Sequence, residues 1–346
     1  MLALRPLLVG FGFYVASASA QSLLAVLQNS GHTEFARLLQ EQEAVINAVP
    51  GSRLIVYAPP NAAISKNGGA ILARESLLTD NQTKSGLFNY AEDTAPELRR
   101  RWLAGPGDTG TGACPVWALE TLLSHPSLVN LGPGRNQTIV QKDVGSASLG
   151  VVFSGLGAGV KVTSSDIPFG GGVVRPIAGT LTLPRNLSAT LPFLNVGKFE
   201  AALQRTGLLA DLDSRTRITV LIPTDAAFRN TSNLPEARLI QALKGHVLVD
   251  VAAYTPLLRD GASFRTLGGT NVTVSVQGET VFLGGSRISS GDAIITNGVV
   301  HTIDRVLAGS VITPIVTGAA VAFRPILTYL YALPAVVAVL AVYYAL

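Results

Sequence analysis

His246 and His301 are the residues whose type most invites chemistry, because imidazole titrates near neutrality and ligates metals when neutral. The other two histidines, His32 and His125, fall in the other half of the chain. No third and fourth ligand stands at metal spacing, so no metal site is expected. Cys114 is the single cysteine; it excludes an internal disulfide and a cysteine-rich metal centre and reads as a small buried hydrophobe. The chain contains no Gly-x-Ser-x-Gly elbow, no His-Glu-x-x-His and no glycine loop closed by Lys-Ser or Lys-Thr. "GPGDTGTGACP" lacks the lysine of a phosphate loop, and "GLGAG" at 155–159 has the wrong glycine spacing, so both read as loops. Asp211 with Asp213, and Glu92 with Asp93, are the residue types of a glycosidase pair, but nothing in the sequence sets their separation in space. No catalytic residue, cofactor or metal is expected, and the chain reads as a protein that is not an enzyme.

The elements around these residues follow from periodicity. "RITVLIP" (217–223) is a β-branched run cut off by proline. Thr224 or Asp225 then offers a side-chain acceptor to the free N–H groups of a helical turn beginning with Ala226, Ala227 and Phe228. Phe199, Ala202, Leu203 and Leu208 or Leu209 recur at helical spacing. His246 precedes the apolar strand "VLV" and reads as a hydrogen-bonded structural histidine, with a partner contact as the alternative. In "GVVHTIDRVL", alternation puts Val299, His301 and Ile303 on one face of a strand that follows a turn at Asn297-Gly298. "TNVTVSVQGETVFLGG" also alternates, with a turn at Gln277-Gly278. Helices first and antiparallel strands later predict an α+β fold.

These elements occur twice. "IVYAPPNAAI" (55–64) parallels "TVLIPTDAAF" (219–228): Pro59 and Pro223, Ala62 and Ala226, and Phe35 and Phe199 share one offset of 164. "GGVVRPIAGTLTLP" (171–184) parallels "NGVVHTIDRVLAG" (297–309) at an offset of 126, from Gly172 and Gly298. The difference of 38 implies extra residues in the first copy, and "EDTAPELRRRWLAGPGDTGTGACPVW", near 92–117, is expected to be an inserted surface excursion.

The two ends carry addresses. Residues 1–20 combine Arg5, an apolar run from Pro6 to Val15 and the triplet Ala18-Ser19-Ala20, which predicts a signal peptide cleaved after Ala20. Asn81, Asn136, Asn186, Asn230 and Asn271 are N-glycosylation acceptors by sequence, where composition alone would give about two. The uncharged stretch 326–346 follows small residues, the pattern of a glycolipid-anchor signal with attachment at Gly318, or alternatively at Gly309 or Ser310; a retained transmembrane helix is the other reading. Removing Arg5 and Arg324 from 26 basic residues leaves 24 against 22 acidic ones, a net +2, which is no nucleic-acid footprint.

"TVLIPTDAAF", "LKGHVLVD" and "ITNGVVHTIDRVL" resemble, in order, the three landmarks of a fasciclin domain, and the resemblance extends over residues 21–308. It implies two tandem fasciclin-like domains, each with N-terminal helices packed on an antiparallel β-sheet wedge. The expected organisation is a divergent domain at 21–184, a second at 185–308, a linker and anchor region at 309–325 and the hydrophobic tail. The first copy departs from the pattern: Pro60-Asn61 replaces Thr224-Asp225, no His-containing middle motif is present, and Arg175 replaces His301. "ETLLSHPSLVNLGPGRNQTIV" resembles the corresponding part of fungal fasciclin proteins. The resemblance implies cell-surface adhesion, or matrix or cell-wall interaction, with Thr224, Asp225, His246 and His301 as candidate structural or adhesive residues. Gly245 stands where the family often has Tyr, which removes any role resting on that aromatic. Partners would be cell-surface or matrix proteins or glycans, other copies of the chain included, with the protein extracellular at the plasma membrane or wall. A secreted glycan- or small-ligand-binding protein is the alternative, and exposed Trp102 and Trp117 side by side would favour it.

Overall fold

The strand at Leu54–Ala58 (β1) is apolar at every position and buried at every position, which requires cover on both faces. Ahead of it lie two helices, Leu23–Asn29 (α1) and Thr33–Gln40 (α2). α1 starts where the Ser22 hydroxyl accepts from the N–H of Ala25. Leu27, Phe35 and Leu39 pack on Leu54, Val56 and Val174 on one face of β1. The other face presents Ile55 and Tyr57 to a second sheet through Leu119, Ile139 and Val152. A computed structural model supplies these positions for residues 21–40, 54–64, 90–92, 116–121, 123–142 and 149–307.

Among the described residues, the remaining strands of this half are Tyr90–Glu92 (β2), Val116–Glu120 (β3), Thr138–Lys142 (β4), Val151–Phe153 (β5), Gly159–Lys161 (β6), Ile167–Phe169 (β7) and Gly172–Pro176 (β8). They form one sheet in the order β2-β1-β8-β7 and another in the order β3-β4-β5-β6. The second half begins with Leu187–Thr190 (α3), Gly197–Arg205 (α4) and Leu208–Ser214 (α5), then Ile218–Pro223 (β9), Asp225–Phe228 (α6) and Glu236–Gly245 (α7). Val247–Leu248 (β10), Ser263–Arg265 (β11), Asn271–Gln277 (β12), Thr280–Leu283 (β13), Ser286–Ile295 (β14) and Gly298–Ile303 (β15) complete it. Its sheet runs β10-β9-β15-β14-β13-β12-β11. Helices cover one face through Phe199, Leu203 and Leu239 on Val220 and Val300; Leu221 and Ile303 on the opposite face meet Leu248, Val274 and Leu283.

The fold is α+β, helices and sheets in each half. Within it, β9 and β15 pair in parallel, as do β1 and β8, where an all-antiparallel sheet was expected. Alternation cannot distinguish the two arrangements, because side chains alternate identically in both. The registers repeat between halves: Leu54 pairs with Gly172 and Ile218 with Gly298, so the offsets of 164 and 126 appear as one strand pairing made twice. The turn after β12 is centred on Gly278 and Glu279, with Gly278 at a φ of 60°, one residue beyond its expected place.

The ends of the segment 92–117 are sheet and not excursion, since Glu92 lies in β2 and Val116 and Trp117 in β3. Trp117 is half-buried against the core of the first half, which removes it from an exposed two-tryptophan platform. Residues 93–115, with Trp102 and Cys114, lie outside the described residues, as do residues 1–20, Asn81, Gly309, Ser310, Gly318 and the tail 326–346.

Candidate functional site at the junction of the two halves

Thr224, Asp225, His246 and His301 each have a defined structural task. The Thr224 hydroxyl accepts from the Ala227 N–H at 3.4 Å as the N-cap of α6. The Asp225 carboxylate accepts from the backbone N–H of Lys198 at 2.9 Å, satisfying a free donor in the first turn of α4. In the first half Asn61 accepts from the N–H of Glu34 at 3.0 Å, and its amide donates to Thr33 Oγ1 at 2.9 Å. The contact is the same in both copies of the repeat, and an amide oxygen performs it as a carboxylate does. Ser22 and Asn186 correspond likewise, each capping the residue three positions on.

His246 closes α7 with no exposed surface. Its Nδ1–H donates to Ala242 O at 2.8 Å and its Nε2 accepts from the Leu307 N–H at 3.1 Å, so both ring nitrogens are committed. Burial pushes its pKa down to about 4, against the smaller opposite pull of the Ala242 carbonyl, and the ring is neutral at pH 7. The ring stands edge-on to Phe199, whose own ring meets Phe228 edge-on at 5.2 Å. His301 is also fully buried. Its Nδ1 accepts from the Asp292 N–H at 3.1 Å and its Nε2–H donates to Ala253 O at 2.8 Å. Burial lowers its pKa, and the Asp292 charge and the Ala253 carbonyl oppose that without reversing it.

Asp292 is a buried residue joining the two halves that the sequence reading missed. It sits in β14 where the pairing with β15 shifts register between Ser290 and Ala293. Its backbone is left-handed, with a φ of 67°. The carboxylate is fully buried and accepts from the Thr255 N–H at 2.8 Å and from the Thr255 hydroxyl. Lys142, from β4 of the other half, brings its ammonium to 2.7 Å and lies 4.8 Å from the centre of the Phe153 ring, close enough for attraction to the ring face. Burial works against ionisation of Asp292, but the His301 ring, the Lys142 charge and the Thr255 hydroxyl outweigh it and hold the pKa below its ordinary value. The only sequence signal was an unexplained acid after glycine in a strand; its partner lies in the other half of the chain.

Other bonds extend this junction. Gln137 donates to Ile295 O at 3.0 Å and accepts from the Tyr254 hydroxyl at 3.2 Å. The N–H of Asn130 donates to Thr296 O at 2.6 Å, and Thr296 N–H donates to Arg185 O at 2.9 Å. Val140, Tyr254, Ile294 and Val299 form a shared apolar cluster. In the first half Arg175, the counterpart of His301, is committed to its own network. Its Nε donates to Asp166 at 2.7 Å and its Nη2 to the other carboxylate oxygen at 2.6 Å, a two-pronged pair. Its remaining nitrogen donates to Gln141 at 2.6 Å. Burial disfavours the Arg175 charge, and Asp166 and Tyr57 more than restore it.

Of the sugar acceptors, Asn186, Asn230 and Asn271 are exposed and Asn136 is half-buried. Asn186 is also occupied structurally: its oxygen caps α3 and its amide nitrogen donates to Asp213 at 3.2 Å.

Residues 195–309 match the Fasciclin domain family. His246, His301 and Asp225 lie in the matched segment. Over 316 residues it is 25% identical to the fasciclin-like arabinogalactan protein CTB11 of Cercospora beticola, covering 87% of this chain and 80% of that protein. Over 229 residues it is 26% identical to the fasciclin-like arabinogalactan protein elcF of Phaeosphaeria nodorum, covering 64% and 72% respectively. Among solved structures, a FAS1 domain pair from the insect cell adhesion molecule Fasciclin I aligns at 15% identity and a TM-score of 0.38, over 82% of this chain and all of that one.

Proposed function

We propose that this chain is a secreted, N-glycosylated protein of two fasciclin-type domains, the first divergent, which acts by adhesion to cell-surface, matrix or wall partners and not by catalysis. The observation that carries the reading is the match to the Fasciclin domain family over 195–309, in which both histidines have both ring nitrogens bonded within the protein. A general base needs a nitrogen within reach of the substrate proton, and these rings have none to offer. Exposed acceptor asparagines at 186, 230 and 271 support passage through a glycosylating compartment. Two domains locked through shared hydrogen bonds suit display of a fixed surface, and many copies on one membrane would add weak contacts together. The membrane link is a glycolipid at Gly318, with Gly309 and Ser310 as alternatives.

The test is treatment of intact expressing cells with a phosphatidylinositol-specific phospholipase, followed by mass spectrometry of the released chain. Release of a chain beginning at Gln21 and ending near Gly318 is expected, together with loss of cell aggregation or wall attachment. Retention on the cell with Leu346 in place would overturn the anchor and favour a transmembrane helix.

A further inference from the structure

We propose that the cleft where the two halves meet binds one ring of a neutral carbohydrate. The inference names a ligand for the binding role above and rests on that reading. The cleft measures about 250 Å³. That is below the roughly 300–1,000 Å³ of pockets that engulf a drug-sized molecule, and suits a single ring of a longer chain.

Its charged lining is balanced, with Arg135 and Arg217 against Glu120 and Asp250. Among the described residues none of the four has a side-chain hydrogen bond or an ion pair within 4.0 Å. The β9–β10 pairing ends at Thr219 and Leu248, and Arg217 and Asp250 stand just beyond it, outside both strands. Each holds a left-handed backbone, with φ of 50° at Arg217 and 60° at Asp250. Non-glycine residues adopt that conformation only at a cost.

The chemistry of this lining selects its ligand. An anion would meet two carboxylates and a cation two guanidinium groups. A sugar hydroxyl both donates and accepts, so adjacent hydroxyls can satisfy an arginine and a carboxylate together. Leu131, Val251 and Ala252 supply an apolar wall for the C–H face of a ring, and the exposed Leu257 extends it. Asn136, the acceptor in Asn136-Gln137-Thr138, belongs to the same lining, so a glycan carried there would start at the cleft itself.

The experiment is saturation-transfer NMR with calorimetry on the secreted chain, both as produced and after enzymatic trimming of its glycans. The probes are methyl glycosides of neutral hexoses, pentoses and N-acetylhexosamines, with inorganic phosphate and glycine as charged and zwitterionic controls. Binding of at least one neutral glycoside to one of the two forms is expected. Arg217→Gly and Asp250→Asn, which both tolerate the local backbone, should each weaken binding at least tenfold with the unfolding temperature not lowered. Absence of glycoside binding in both forms, binding that survives both variants, or binding of the controls alone would overturn the site. Those results leave phospholipase release and cell aggregation untouched, so failure of the cleft and failure of the adhesion reading are separable.

Discussion

Asn61 and Asp225 occupy equivalent places in the two halves and make the same bond, each accepting a backbone N–H from the first turn of a helix, Glu34 in one half and Lys198 in the other. The bond asks for an oxygen and not for a charge. Asp225→Asn should therefore change stability by less than about 1 kcal/mol, whereas Asp225→Ala and Asn61→Ala should each cost about 0.5–2 kcal/mol, the range for a lost helix cap. Urea unfolding of the three variants checks this; equal losses for Asp225→Asn and Asp225→Ala would show that the charge matters.

Gly172 and Gly298 open the two parallel strands. A β-carbon on Gly172 would fall 2.0 Å from Leu54 O, and one on Gly298 1.8 Å from Ile218 O. Both clashes are with backbone, which a rotamer change cannot relieve. Gly172→Ala and Gly298→Ala are each expected to destabilise by on the order of 3 kcal/mol or more, or to abolish secretion. A wild-type unfolding midpoint for either would contradict the parallel registers.

Lys142 and Asp292 test the junction. Lys142→Met leaves a buried carboxylate with Thr255 and the neutral His301 ring beside it. The loss should be roughly 2–3 kcal/mol, below the roughly 3–5 kcal/mol of a fully buried broken pair, because the Lys142 side chain keeps some contact with solvent. Asp292→Asn accommodates the left-handed backbone and should recover part of that loss when combined with Lys142→Met. Strictly additive losses in the double-mutant cycle would mean that the pair is not coupled.

Acid should weaken the fold in two stages. His246 is depressed from 6.5 to about 4 by burial, so the unfolded chain binds its proton first. Its contribution is fully present above about pH 6.5. As pH falls from there toward 4, it is lost, for a total of roughly 3 kcal/mol. His301, also depressed, acts in the same direction. Asp292 lies below its ordinary value, so its contribution holds above the usual carboxylate range and disappears only at lower pH. Denaturant midpoints measured between pH 7.5 and 3 should fall in that order; a midpoint flat from pH 6.5 to 4.5 would show that the histidines are not buried as neutral rings.

Much of this protein was legible from local pattern. Phe35 and Phe199 announced the helices, "RITVLIP" the central strand, and Thr224 and Asp225 the caps that follow it, because capping and amphipathicity act within a few residues and leave their period in the chain. The two offsets were legible for the same reason, since a repeated element repeats its pattern. What the sequence by itself determined was therefore the kinds of element, their order and their repetition. Tertiary structure alone decided that β9 runs parallel to β15, that Arg175 serves Asp166 while its counterpart His301 serves Asp292, and that Lys142 reaches Asp292. These are contacts between distant residues or choices between identical alternations, and neither the period of a strand nor the identity of an isolated charge encodes which partner the folded chain will bring to it.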